Sequence, residues 1–111
     1  MKTSSAKAKG RRLQNWVRDT LLEVFTSLDD NDITCAIMGE TGVDIKLSNP
    51  AKKLIPYSFE CKNQERLNIW SAIEQAEANA TGHSPAIVFK RNRTKTYVAI
   101  PIEDFISLIK K

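Results

Sequence analysis

Apolar and polar positions along this chain follow two periods, and the places where the period changes mark its elements. From about residue 10 to 28, Leu13, Trp16, Val17, Leu21, Val24 and Leu28 recur at helical spacing, which predicts an amphipathic helix. The run "DDND" (29–32) ends it with turn residues. "ITCAIM" (33–38) reads as a strand, "GETG" (39–42) as a tight turn, and "VDIKLS" (43–48) as a strand alternating apolar and polar. "NPAKK" reads as a loop, and "LIPYSFECK" (54–62) as a third strand with Pro56 near its start. "ERLNIWSAIEQAEANA" (65–80) is rich in alanine and straight-chain residues and predicts a second helix, with Ile69, Trp70, Ile73 and Ala76 on one side. "TGHSP" stops it with a glycine just past the end. "AIVFK" (86–90) and "TYVAIP" (96–101) read as strands joined by the basic turn "RNRT". "IEDFISLIKK" then closes the chain as a short helix with acids first and lysines last, as the helix dipole favours. The order α-β-β-β-α-β-β-α predicts an α/β fold in which a single mixed sheet is flanked by helices. Residues 1–10, small, polar and basic, read as a flexible basic arm, and 11–111 as one domain.

Composition narrows this picture. A chain of 111 residues that is 41% hydrophobic can bury one core and is too short for two. No segment approaches the roughly 18 uninterrupted apolar residues of a membrane helix. The opening "MKTSSAKAKGRRLQNW" is basic but lacks the apolar run of a secretion signal, so a soluble, intracellular, cytoplasmic protein is expected, with no membrane partner. Net charge is +4, and its distribution says more than its total: six basic residues precede the first acid, Asp19, and "KRNRTK" (90–95) carries four positive charges in six positions. Two such clusters on one small domain point to a polyanion, because neutralising phosphates releases counterions. Lys9, Arg11, Arg12, Arg91, Arg93 and Lys95 are the candidate phosphate contacts. Cys35 and Cys61 lie in separate apolar runs, and two cysteines with one histidine make neither a zinc set nor a disulfide scaffold. Both read as reduced core residues, and His83 as a turn residue.

The chemistry centres on "SFECKNQ" (58–64). Side chains alternate faces along a strand, so Ser58, Glu60 and Lys62 share one side while Tyr57, Phe59 and Cys61 share the other. The second set is core. The first sets a carboxylate beside an ammonium at the end of a central strand. Asp44 lies sixteen residues before Glu60, flanked by Val43 and Ile45, and points opposite to both. If the two strands are neighbours, Asp44 and Glu60 converge. Two close carboxylates repel unless a cation sits between them, and a hard divalent ion held by oxygen ligands is the usual solution. Such an ion polarises a phosphoryl oxygen and lowers the pKa of its water, while a nearby lysine orients the attacking water. Asp44, Glu60 and Lys62 then form a phosphodiester hydrolysis site. The plainer reading is a cross-strand ion pair of Glu60 with Lys62 or Lys46, of little energetic weight. The upstream Asp44, the helix that follows and the basic clusters argue against it.

The pattern of Asp44, then Glu60-Cys61-Lys62 on the next strand, then a helix, resembles the PD-(D/E)XK nuclease superfamily, with the closest likeness to its small phage-type and Holliday-junction-resolvase-like members. The likeness covers nearly the whole chain. It implies a restriction-endonuclease-like core, Mg²⁺ as the cofactor with Mn²⁺ as a substitute, and host cytoplasm as the location if a phage encodes the chain. By the same resemblance Asp44 and Glu60 are metal ligands, the Cys61 carbonyl adds an oxygen, Lys62 is the catalytic lysine, and Gln75 matches a glutamine on the helix after that lysine. Two departures matter. Val43 stands where the family's proline would be. Relatives often supply a glutamate from the first helix, where this chain has Gln14, with Glu23 two turns later. Gln14 can bind only through its weaker amide oxygen, and Glu40, in the turn before Asp44, is the alternative ligand.

These readings lead to a metal-dependent endonuclease acting on DNA. A nuclease-like DNA-binding protein without catalysis and a basic RNA-binding module are the competitors from other classes. Few aromatic residues, most of them at core periodicity, weigh against an RNA-recognition sheet. Segments left over after the core is assigned are short and basic, suited to phosphates and DNA shape rather than to a base code. Structure-selective cutting of branched or junction DNA is therefore expected, with a site-specific homing-type enzyme of the same fold as the alternative. Cutting both strands is simplest for a homodimer, to which Trp70 and Phe105 could contribute.

Overall fold

A computed structural model of the chain describes residues 3–37, 40–80 and 82–111. Met38 and Gly39, in the expected first strand and turn, and Thr81, in the expected helix stop, lie outside the described residues. The order is α1 (Thr3–Val24), β1 (Ile33–Cys35), β2 (Ile45–Leu47), α2 (Asn49–Leu54), β3 (Tyr57–Asn63), α3 (Ile69–Asn79), β4 (Ser84–Lys90), β5 (Tyr97–Ala99) and α4 (Ile102–Lys110). The mixed α/β class stands, but two expectations change. A short helix, α2, occupies the "NPAKK" segment. Instead of one sheet the described residues form two: β1 and β2 make an antiparallel pair, while β3 pairs parallel with β4 and β4 antiparallel with β5.

Local chemistry explains both changes. Ser48 caps α2, its hydroxyl accepting from the Ala51 N–H at 3.2 Å, and Pro50 falls in the first turn, where its missing donor costs nothing. The Ser48 hydroxyl also donates to Asp32 at 2.6 Å, which holds the Asp32 carboxyl below the usual carboxylate range. The sheets stay separate because the backbone hydrogen bond that links them is made by Asp44, just before β2. The Asp44 N–H donates to the Phe59 carbonyl at 3.1 Å, and the Asp44 carboxylate then takes the Cys61 N–H at 2.7 Å. A side-chain oxygen thus stands where a continuing ladder would place a backbone carbonyl.

The β3–β4–β5 sheet is the middle layer. On one face Leu13 and Val17 of α1 pack with Cys61 and Val88, together with Ile33, Ile45, Ala51 and Ile55 of the smaller sheet and α2. On the other face Ala72 and Ala76 of α3 pack on Ile87, where small side chains let helix and sheet approach closely. The first helix starts earlier than its apolar pattern: residues 3–10, expected as an arm, are helical, in keeping with their alanines and lysines. The buried stripe of α1 is Lys9, Leu13 and Val17 at i, i+4 and i+8, so Trp16 and Val24, expected inside, are exposed. The α3 stripe is Ile69, Ala72, Ile73 and Ala76, which puts Trp70 round the helix at 73% exposure. None of the residues of α4 is buried. No helix is long and apolar enough to cross a membrane among the described residues.

Candidate active site

Strand β3 holds Glu60 and Lys62 on the face that α3 covers, and α3 meets them with two amides. The Lys62 Nζ donates to Gln75 Oε1 at 2.7 Å, and Asn79 Nδ2 donates to Glu60 Oε1 at 2.8 Å. The match is geometric. Two residues of strand rise about 6.7 Å and four of helix about 6 Å, so an antiparallel helix sets i, i+4 amides against i, i+2 charges. Asn79 was not foreseen, although its place one turn beyond Gln75 was a readable signal.

Glu60 is 1% exposed. Burial pushes its carboxyl pKa up; the Asn79 amide and the Lys62 ammonium pull it down, and the Asp44 carboxylate beside it pushes up again. Asp44 lies beside Glu60 because its carboxylate takes the N–H of Cys61, the residue after Glu60. Each keeps one oxygen engaged, Asp44 Oδ2 by the Cys61 N–H and Glu60 Oε1 by Asn79. The Cys61 carbonyl leaves the strand on the same edge as its N–H, toward Asp44. Among the described residues no group of three or more His, Cys, Asp or Glu side chains gathers as a cation cage. What the edge offers is two carboxylates and a backbone carbonyl, an all-oxygen donor set that fits a hard divalent cation with retained waters. Cys61 itself is buried and its thiol pKa is pushed far up by that burial and by the Asp44 charge, so its sulfur is inert.

In front of Asp44 lies a cavity of about 450 Å³ whose lining includes Lys7, Arg11, Gln14 and Glu40. The first helix thus does bring Gln14 to the site, whereas Glu23 is exposed near the far end of α1. Glu40 is already engaged: Lys46 pairs with its carboxylate and the Ile37 N–H donates to it at 2.6 Å, which together hold its pKa down.

The basic residues divide. Arg11, Arg12, Arg91, Arg93 and Lys95 are exposed, and Arg12 and Lys90 line one cavity of about 230 Å³, so the two clusters meet in space. The 90–95 turn is pinned by Thr94, whose hydroxyl bonds both the N–H and the carbonyl of Arg91, with Arg93 left-handed at φ 64°. Lys9 departs from its expected role. It is 5% exposed and its ammonium faces Glu65 at 3.4 Å, so it is a counter-ion inside the fold and not a surface contact.

Residues 5–111 match a family model described as "Phage putative PDDEXK endonuclease". No curated protein and no solved structure matches the chain.

Proposed function

The chain belongs to this phage PDDEXK endonuclease family, and from that premise we propose a metal-dependent DNA endonuclease that hydrolyses phosphodiester bonds, selects branched DNA and works in the host cytoplasm. The observation that carries the reading is the buried Glu60 carboxylate set against Asp44, with Lys62 held by Gln75 on the same face. A protein gains no stability from sealing one carboxylate beside another; a bound cation gives the arrangement a purpose.

In this reading Asp44, Glu60 and the Cys61 carbonyl hold Mg²⁺, or Mn²⁺ in its place, with Gln14 or Glu40 lending a further oxygen. When bound, the ion supplies a Lewis acid for the scissile phosphate and a water of lowered pKa. The remaining work is done by the chain. Lys62 aims its ammonium at the attacking water or the phosphate oxygen, and Gln75 fixes that aim. Asn79 keeps Glu60 turned toward Asp44. Arg11, Arg12, Arg91, Arg93 and Lys95 bind the flanking phosphates, and Lys9 is left out of that set because it is buried. Branched DNA is favoured because these cations sit on one helix face and in a tight turn, an arrangement suited to phosphates and DNA shape rather than to base edges.

The test is nicking of supercoiled plasmid, together with cutting of a four-way junction and a linear duplex of the same sequence. Cleavage is expected with Mg²⁺ or Mn²⁺, absent in chelator, reduced at least about 100-fold in Lys62→Ala, and faster on the junction. Cleavage in excess chelator would overturn the metal mechanism. Binding without cutting under every metal would make the chain a non-catalytic relative.

A further inference from the structure

The face of the sheet that carries Lys62 does not end there. Register places Lys62 opposite Phe89 and Phe89 opposite Tyr97, so the three side chains form one row across β3, β4 and β5. The Phe89 and Tyr97 rings have centroids 6.2 Å apart and are tilted by 33°. They line a cavity of about 380 Å³ together with Ile69, Gln64, Lys90 and Arg91. Glu65 also borders it, but that carboxylate is engaged by the Asn92 N–H at 2.6 Å and by Lys9. Tyr97 is 57% exposed, an aromatic side chain open to solvent on the sheet.

A cross-strand aromatic pair alone is ordinary sheet packing. Three things set this one apart. It opens into a cavity of the size that holds one small ligand. Its rim is cationic, with Arg93 and Lys95 in the same turn as Arg91. It lies one strand, about 4.8 Å, beyond the row position of Lys62, with Tyr97 about twice as far. Aromatic wall, amide and cationic rim are the parts of a site for a nucleobase, which stacks on the ring while its phosphate meets the cations.

We infer that the Phe89–Tyr97 cavity holds one unpaired nucleobase of the DNA, from a nucleotide flanking the phosphate at Lys62. This rests on the endonuclease reading and deepens it. A base stacked within an intact duplex cannot enter a side pocket without being extruded. A base at a flap, gap or branch point enters freely. The cavity is thereby a selector for strand discontinuity, and it needs no sequence code because every base has a stacking face.

The inference is tested by equilibrium binding in chelator, where nothing is cut. The probes are a paired duplex, the same duplex with one unpaired 2-aminopurine at a branch, and that branched duplex with an abasic nucleotide at the same position. The wild-type protein is expected to bind the unpaired-base probe about tenfold more tightly than the abasic one, the worth of one base–aromatic stack, and to change the emission of the 2-aminopurine. Tyr97→Ala is expected to lose that tenfold preference and the emission change while binding the paired duplex as before; Tyr97→Phe keeps both. Because Tyr97 and the missing base act on one contact, combining Tyr97→Ala with the abasic probe costs no more than either alone. Equal binding of unpaired-base and abasic probes by the wild type would overturn the pocket, even with cleavage intact. A wild type that binds no DNA of any form would overturn the endonuclease reading itself, and the pocket with it.

Discussion

A carboxylate sealed from water beside a second carboxylate weakens the fold that contains it, and Glu60 is in that position. Its folded-state pKa lies above the ordinary value, so the folded protein favours the protonated form. The penalty is absent below the unfolded pKa and grows as pH rises toward the folded one. Glu60→Gln keeps an Oε1 for Asn79 and removes the charge, so at neutral pH it is expected to melt several degrees above the wild type while cleavage falls at least about 100-fold. At pH about 4, where Glu60 is already largely protonated, the melting difference should vanish. Thermal melts at the two pH values with a nicking assay check this, and a variant melting below the wild type at neutral pH would show that Glu60 is held there for structure. The alternation that makes Glu60 and Lys62 neighbours was legible, since a strand period of two needs no tertiary knowledge. The burial of Lys9 was masked by the basic composition around it, although Lys9, Leu13 and Val17 at steps of four already put it on the buried stripe.

At the scale of elements, α4 is the piece the domain does not use. Ile102, Phe105, Ile106 and Ile109, at i, i+3, i+4 and i+7, make a stripe that stays exposed along the whole helix. Glu103 and Asp104 open the helix and Lys110 closes it. Two copies packed antiparallel bring the acids of each against the lysines of the other, a self-complementary arrangement suited to a two-fold interface. With Leu108 beside the stripe, five large apolar side chains about half exposed amount to roughly 500 Å² per copy, near the lower bound for a specific interface. A second copy of this chain is therefore the expected occupant. Phe105→Glu should convert dimer to monomer in sedimentation at micromolar concentration, with the melting temperature of the monomeric domain little changed. A wild type that sediments as a monomer at every concentration would discard this dimer. The sequence announced the amphipathic character of α4 but not what it faces, because periodicity reports a stripe and not its partner. It did announce α2, through Ser48 and Pro50, in a segment whose shortness made a loop the default reading.

The molecule as a whole gathers what the chain separates. Basic residues from its two ends meet where Arg12 and Lys90 share a cavity, so the sequence identified the clusters and the fold made them one surface. Replacing Arg91 and Arg93 with Gln should weaken binding to all DNA sequences alike and lower the slope of log affinity against log salt by roughly 1 to 2. Lys9→Met should leave that slope alone, since the Lys9 ammonium is buried and faces Glu65 and not solvent. An unchanged slope in the arginine variant would remove this turn from the DNA contacts. The number of sheets was not legible: alternation finds strands, but the pairing of strands depends on where a ladder stops, and here it stops at one aspartate. That junction bears on when the proposed site can form. Asp44 sits just before β2 of the smaller sheet and Glu60 within β3 of the larger one, and β3 is held in place by β4, whose pairing begins with Tyr57 opposite Ser84. A ribosome that has just passed residue 62 has already placed Gln14, Glu40, Asp44, Glu60, Cys61 and Lys62 in sequence, while β4 is still to be made. On the endonuclease reading the nascent chain therefore cannot cut until the later strand emerges, and a translating cell meets an assembled site only once the protein is nearly whole.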